Sequence, residues 1–188
     1  MEIQKLREAV REDHERVERS FPILSPSLTL SAYRELLSRL YAFVSSWEDL
    51  ACSALPGEWK QLAKAHARAP LLEQDLRTLG ISPDADLRPV MPRFTAVPEL
   101  LGGMYVMEGS RLGGQHIARH LESRFQEELR GACRYFRGFG TDTGMHWRNF
   151  LKRLEALPEE DTPSVVRGAK GMFTAFEQWV CARKALAG

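Results

Sequence analysis

"LGGMYVMEGSRLGGQ" (residues 101–115) has the apolar content of a buried helix and yet holds five glycines. Each interior glycine costs roughly 1 kcal/mol of helix propensity against alanine. A segment that accepts this cost repeatedly needs something to come close to its backbone. On a helix from about Pro98 to Arg124, with Pro98 in the first turn, Gly102, Gly109 and Gly113 share one face. Gly103 and Gly114 lie on the adjacent face with Ser110, while Glu108 and Arg111 turn away from Gly113. Two occupants fit such a surface: a tightly packed helix or a flat ligand. The pattern is unlike a phosphate loop, because it lacks GxxxxGK and no strand precedes it.

Outward from this segment the chain reads as helical throughout. Leu6, Val10, Asp13 and Val17 form a stripe broken only by the aspartate, and "FPILSP" ends that helix at Pro22. Thr29 or Ser31 caps the next helix, whose apolar positions include Leu36, Leu37, Leu40, Tyr41 and Val44. Further helices are expected from about Pro56 to Ala67, Pro70 to Leu79, 125 to 137, 144 to 156 and 162 to 185, with "GFGTDTG" as a break. Met104, Met107, Met145 and Met172 read as core fillers, and Trp147 and Trp179 as packing between helices. With no strand alternation and no internal repeat, the expected fold is all-α, one domain over residues 1–188.

Composition narrows the function classes. The chain has 188 residues, 26 basic and 25 acidic, for a net charge of +1, which argues against a general nucleic-acid binder. No run approaches the roughly 20 apolar residues of a membrane helix. The N-terminal stretch has no long apolar core, so a cytoplasmic location without membrane insertion is expected. Cys52, Cys133 and Cys181 are far apart and show no CxxC spacing. His116 and His120 are four residues apart but lack a third ligand, and His66 and His146 carry no motif.

A planar ligand on the glycine face needs a second wall, and "REDHERVE" on the first helix supplies one. His14 borders the apolar stripe, and Glu18 follows one helical interval later, where its carboxylate can hold one ring nitrogen and leave the other for a metal. Arg7 lies on nearly the same face and suits an anionic ligand edge. A single histidine makes no zinc site, but it suffices for haem iron because the macrocycle supplies the remaining equatorial ligands.

Together, "LREAVREDHERVE" and "LGGMYVMEGSRLGGQ" resemble the two haem-facing helices of the haem oxygenase family, especially the bacterial biliverdin-producing type that includes bacteriophytochrome-associated forms. The resemblance spans residues 4 to 183. It implies a haem-oxygenase-like bundle in which His14 ligates the haem iron and Glu18 hydrogen-bonds His14. Gly109, Gly113 and Gly114 then admit haem on the distal side, with Tyr105 organising the pocket. Arg7, Arg148 and Lys152 are implied as contacts to the haem propionates. Ser110 falls where animal-type members carry an aspartate; lacking an anionic acceptor, its hydroxyl leaves proton delivery to ordered water and exposed carbonyls.

The implied reaction is O2- and electron-dependent cleavage of haem to biliverdin, free iron and carbon monoxide, with haem as both substrate and cofactor. His14, Gly109, Ser110 and Gly113 are its expected catalytic positions. No flavin or nicotinamide motif is visible, so electrons are expected from a ferredoxin or a flavoprotein reductase, and the resemblance implies a bacteriophytochrome as a recipient of biliverdin. The rival reading is a non-catalytic haem carrier or sensor. A thiamine-degrading or quinone-cofactor enzyme of similar helical build is disfavoured by the His14–Glu18 pair and the two LGG motifs. Gly103, if it serves packing alone, is expected to tolerate alanine better than Gly113.

Overall fold

The structure, a computed structural model, describes residues 1–181 apart from residue 85. Its helices are α1 (Ile3–Ser20), α2 (Leu30–Ala54), α3 (Gly57–Ala65), α4 (Ala69–Thr78), α5 (Val97–Gly109), α6 (Gly114–Phe125), α7 (Arg134–Arg137), α8 (Thr143–Glu155) and α9 (Thr162–Phe176), with short 3-10 turns between α1 and α2 and at each junction from α6 to α9. Among the described residues there is no strand, and no helix is long and apolar enough to cross a membrane. Thr29 caps α2: its hydroxyl accepts the Ala32 N–H at 3.1 Å, a contact worth about 1 kcal/mol. In α1 the stripe buries Leu6 and Val10, while the intruding Asp13 is matched by Arg16 at 2.8 Å and Lys170 at 3.9 Å.

At the centre lies α5, in which every residue from Glu99 to Glu108 is buried. A helix without a polar face belongs in the middle of a bundle. Glycines then set how closely its neighbours approach. A methyl group on Gly102 would stand 2.0 Å from the Val165 carbonyl oxygen of α9, and one on Gly168 would stand 1.9 Å from the carbonyl oxygen of Glu99. The two helices thus cross backbone against backbone, with a glycine from each at the crossing. One on Gly103 would press the Trp47 ring at 3.0 Å and the Met172 methyl at 3.1 Å.

The glycine segment is not one helix. It stops at Gly109, turns through 110–113 and restarts at Gly114. Three-residue hydrogen bonds carry the turn: Arg111 N–H donates to the Glu108 carbonyl at 3.2 Å, Leu112 to Gly109 at 3.0 Å and Gly114 to Arg111 at 3.0 Å. The Ser110 hydroxyl donates to the Met107 carbonyl at 2.7 Å, the local competition that disfavours serine inside helices. The common face expected for Gly102, Gly109 and Gly113 therefore does not exist.

Other differences are local. The expected 125–137 helix is a 3-10 turn (Gln126–Leu129) and the short α7, because Gln126 takes a positive φ of 39° and Gly131 one of 75°. Met145 is 46 % exposed and fills no core, unlike Met104, Met107 and Met172. After α9 the chain continues as a π-helical turn, Glu177–Cys181, and the expected helix over 182–185 lies outside the described residues. Trp179 packs there half-buried, its indole donating to the Arg39 carbonyl at 3.0 Å.

Candidate active site

A cavity of about 480 Å³ opens between α1, α9, α7, α8 and the α5–α6 turn, within the size range of small-molecule sites. Its walls are mainly apolar, with Val17, Phe21, Leu40, Phe173 and Phe176 on the side of α1, α2 and α9, and Val106, Ile117 and Phe136 opposite. Eight of the residues singled out in the sequence border it: Arg7, His14, Glu18, Tyr105, Gly109, Ser110, Gly113 and Gly114. Arg148 and Lys152 do not. They stand exposed on α8 beyond Trp147, which does line the cavity.

On the α1 wall the His14 side chain is 57 % exposed. Its Nδ1 lies 3.6 Å from a Glu18 carboxylate oxygen, and its ring meets Phe173 edge-on at 5.9 Å. The one-turn spacing on a straight helix sets the carboxylate beside the ring. Arg7 also borders a shallower cleft of about 530 Å³ between the N-terminus and α8. Tyr105 bridges the walls, packed on Trp147 at 5.3 Å. Burial pushes its phenol above the ordinary value, and the Arg7 guanidinium opposes that rise.

The opposite wall separates glycines that the sequence reading grouped. A methyl on Gly113 would meet nothing within 4 Å, and one on Gly109 would touch Trp147 at 3.4 Å. Gly114 instead faces the Phe136 carbonyl, 2.2 Å from where a methyl would sit, so it seats α6 against α7. Three of the five glycines thus border the cavity, but only at Gly109 and Gly113 would an added methyl avoid a clash with backbone, while Gly102, Gly103 and Gly114 let backbone or ring come close.

Behind the turn lies a buried polar cluster that sequence reasoning missed. Arg68, between α3 and α4, donates to the Met107 carbonyl at 2.7 Å and to the Ser110 hydroxyl at 3.0 Å, and its guanidinium lies 4.9 Å from the Tyr135 ring centre. Glu48 holds this corner, accepting the Arg68 N–H at 2.5 Å and the Ala69 N–H at 3.1 Å at the start of α4. Burial pushes the Glu48 carboxyl up, and those two amides pull against it. Arg111 also lines the cavity, contrary to the expectation that it turns away, because the helix that expectation assumed ends before it. Its guanidinium donates to Glu108 at 3.2 Å and to the His66 carbonyl, and lies over the Phe139 ring. Burial and the neighbouring Arg68 push it down to about 10. Glu108 also receives His66 Nδ1 at 2.8 Å. Burial pushes the Glu108 carboxyl up, but His66, Arg111 and Arg68 outweigh it and hold it below the ordinary carboxylate value.

Asp75, fully buried, plays a supporting part by accepting the Arg134 and Tyr135 N–H groups at 3.0 and 2.9 Å, which presents Tyr135 and Phe136 to the cavity. Neither Arg68 nor Asp75 has a local signature, since the partners of Arg68 lie 20, 39 and 42 positions away and those of Asp75 59 and 60.

Comparisons with known proteins agree on one family. The family described as "Heme oxygenase" matches residues 2–182. A heme oxygenase from Xanthomonas campestris pv. campestris is 31% identical over 156 residues, covering 80% of this chain and 89% of its own. A heme oxygenase from Neisseria meningitidis, solved with NO and CO bound, superposes with a TM-score of 0.73 over 98% of this chain and 94% of its own. At 21% identity that likeness concerns the fold.

Proposed function

The chain belongs to the haem oxygenase family, and from that premise we propose that haem binds between α1 and the α5–α6 turn with His14 as the iron ligand. The reaction is the oxidative opening of haem to biliverdin, with release of iron and carbon monoxide. The observation that carries this placement is that His14 with Glu18 and the unobstructed Gly113 border the same mainly apolar cavity. Bound haem supplies both the ring that is opened and the iron at which oxygen is activated.

The chain's own residues supply the rest. Glu18, with a carboxylate oxygen 3.6 Å from His14 Nδ1, stands just outside hydrogen-bond distance, and a small approach would let it hold that nitrogen and leave Nε2 for the iron. Phe173, Phe176 and Phe21 keep water from the α1 side. Gly109 and Gly113 leave the opposite face open, and Arg68 fixes the Ser110 hydroxyl where an aspartate stands in animal-type members. With its proton donated to Met107 and a lone pair on Arg68, that hydroxyl is a fixed dipole rather than a base. Arg7 at the rim suits one propionate. Arg148 and Lys152, outside the cavity wall, suit a propionate that projects from it.

A ferredoxin or a flavoprotein reductase is the electron source in this reading. The bacteriophytochrome-associated type, with delivery of biliverdin to such a photoreceptor in the cytoplasm, remains part of the proposal on the strength of the two motifs. Protein reconstituted with haemin and given ascorbate under air tests the function. Loss of the haem spectrum with extractable biliverdin is expected, whereas haem that stays intact would make the protein a carrier.

A further inference from the structure

The cavity wall opposite His14 is built as a layer of cations in front of carboxylates. Arg68 and Arg111 border the main cavity, while Glu48, Glu108 and His66 do not. These three line, with the same two arginines, a void of about 20 Å³ behind the turn. Both arginines are nine-tenths buried or more, at 3 % and 8 % exposure. Two guanidinium groups brought together out of water repel each other, and Arg111 registers this as a lowered affinity for its proton. The carboxylates behind explain how the pair is tolerated.

Each guanidinium also keeps unspent donors. Arg111 gives a terminal nitrogen to Glu108 and the His66 carbonyl, but its buried Nε has no partner among the described residues. Arg68 gives one terminal nitrogen to Met107 and Ser110, and no bond from its other terminal nitrogen to a described residue is found. Buried donors in folded proteins are overwhelmingly satisfied, so these two cavity-lining arginines hold donor capacity that their described neighbours leave unmet.

We propose that Arg68 and Arg111 form an anion-recognising wall, which holds a small inorganic anion in the open half of the cavity through charge-assisted hydrogen bonds. Glu108 and His66 are positioning residues that keep the Arg111 guanidinium in place. The wall discriminates by charge, binding fluoride in preference to an uncharged ligand that fills the same space. The proposal rests on haem occupying the cavity with His14 as its ligand, because the probe is read through the iron.

The test uses the haemin-loaded full chain, titrated with fluoride and separately with imidazole, and followed by absorbance. Arg111→Gln and Arg68→Gln are each expected to weaken fluoride binding about tenfold, the scale of one lost hydrogen bond to a charged group, with imidazole affinity changed less than about twofold. Unchanged fluoride affinity in both variants, or equal losses for fluoride and imidazole, would overturn the proposal. If neither variant folds, the unmodified complex decides: its iron–fluoride Raman band must shift in D2O, and an unmoved band means that no N–H reaches the anion. Failure of the unmodified chain to bind haemin would be a distinct result, and it would remove the haem-site reading itself.

Discussion

Gly102 and Gly113 belong to one motif and lead to opposite outcomes on substitution. Gly102→Ala places a methyl 2.0 Å from a backbone oxygen of α9 that cannot move aside alone. Overpacking of this kind costs about 1–3 kcal/mol, so the urea midpoint is expected to fall clearly. Gly113 has helical backbone angles, φ −78° and ψ −12°, and open space around it. Gly113→Ala is therefore expected to change apo stability by no more than about 0.5 kcal/mol. Gly103→Ala falls between them, pressing Trp47 and the flexible end of Met172, so it is expected to lower apo stability more than Gly113→Ala does. Equal urea midpoints for the Gly102 and Gly113 variants would contradict this division of labour.

At the scale of elements, the decisive feature is the break between α5 and α6. Periodicity foretold a helix on both sides of it, and both are there. The break itself was illegible because Ser110 and Gly113 at its two ends keep helical backbone angles, and Ser110 is held by Arg68 from a different part of the chain. His14 and Glu18 were legible because they pair one turn apart on a single helix, and the glycines because their clustering is itself local, although what each one faces is not. Arg68, Asp75 and the cavity face of Arg111 were not, because tertiary contacts define them. The cluster behind the break also sets a pH dependence. Glu108 has a folded-state pKa below its unfolded value. Its contribution to stability is therefore present above the ordinary carboxylate range, about pH 4.3, and is lost as pH falls through its depressed value. Glu108→Gln is expected to lower the urea midpoint at neutral pH and to flatten the decline below about pH 4.3. An acid limb as steep as that of the unmodified chain would place the titrating group elsewhere.

The whole molecule is a bundle centred on α5 packed against α9, and the cavity lies to one side of that contact, where α1, α7, α8 and the α5–α6 turn complete its walls. Stability and ligand binding should therefore separate. His14 is more than half exposed and contributes little packing, so His14→Ala is expected to leave the apo melting temperature within about 2 °C of the unmodified chain, the range of a change below 0.5 kcal/mol. The rise in melting temperature on adding haemin, which follows from binding to the folded state alone, is expected to shrink. A full haemin-dependent rise in the variant would remove His14 as the ligand.

Single turnover of the haemin complex with reductant and oxygen, followed by absorbance for biliverdin and by carbon monoxide release, tests the central claim most directly. The unmodified chain is expected to convert its bound haem to biliverdin with release of carbon monoxide. Gly113→Leu, which fills the open side opposite His14, is expected to fold, bind haem weakly or in an altered form, and fail to open the ring. Intact haem in the unmodified chain, or biliverdin at the native rate from Gly113→Leu, would contradict the account.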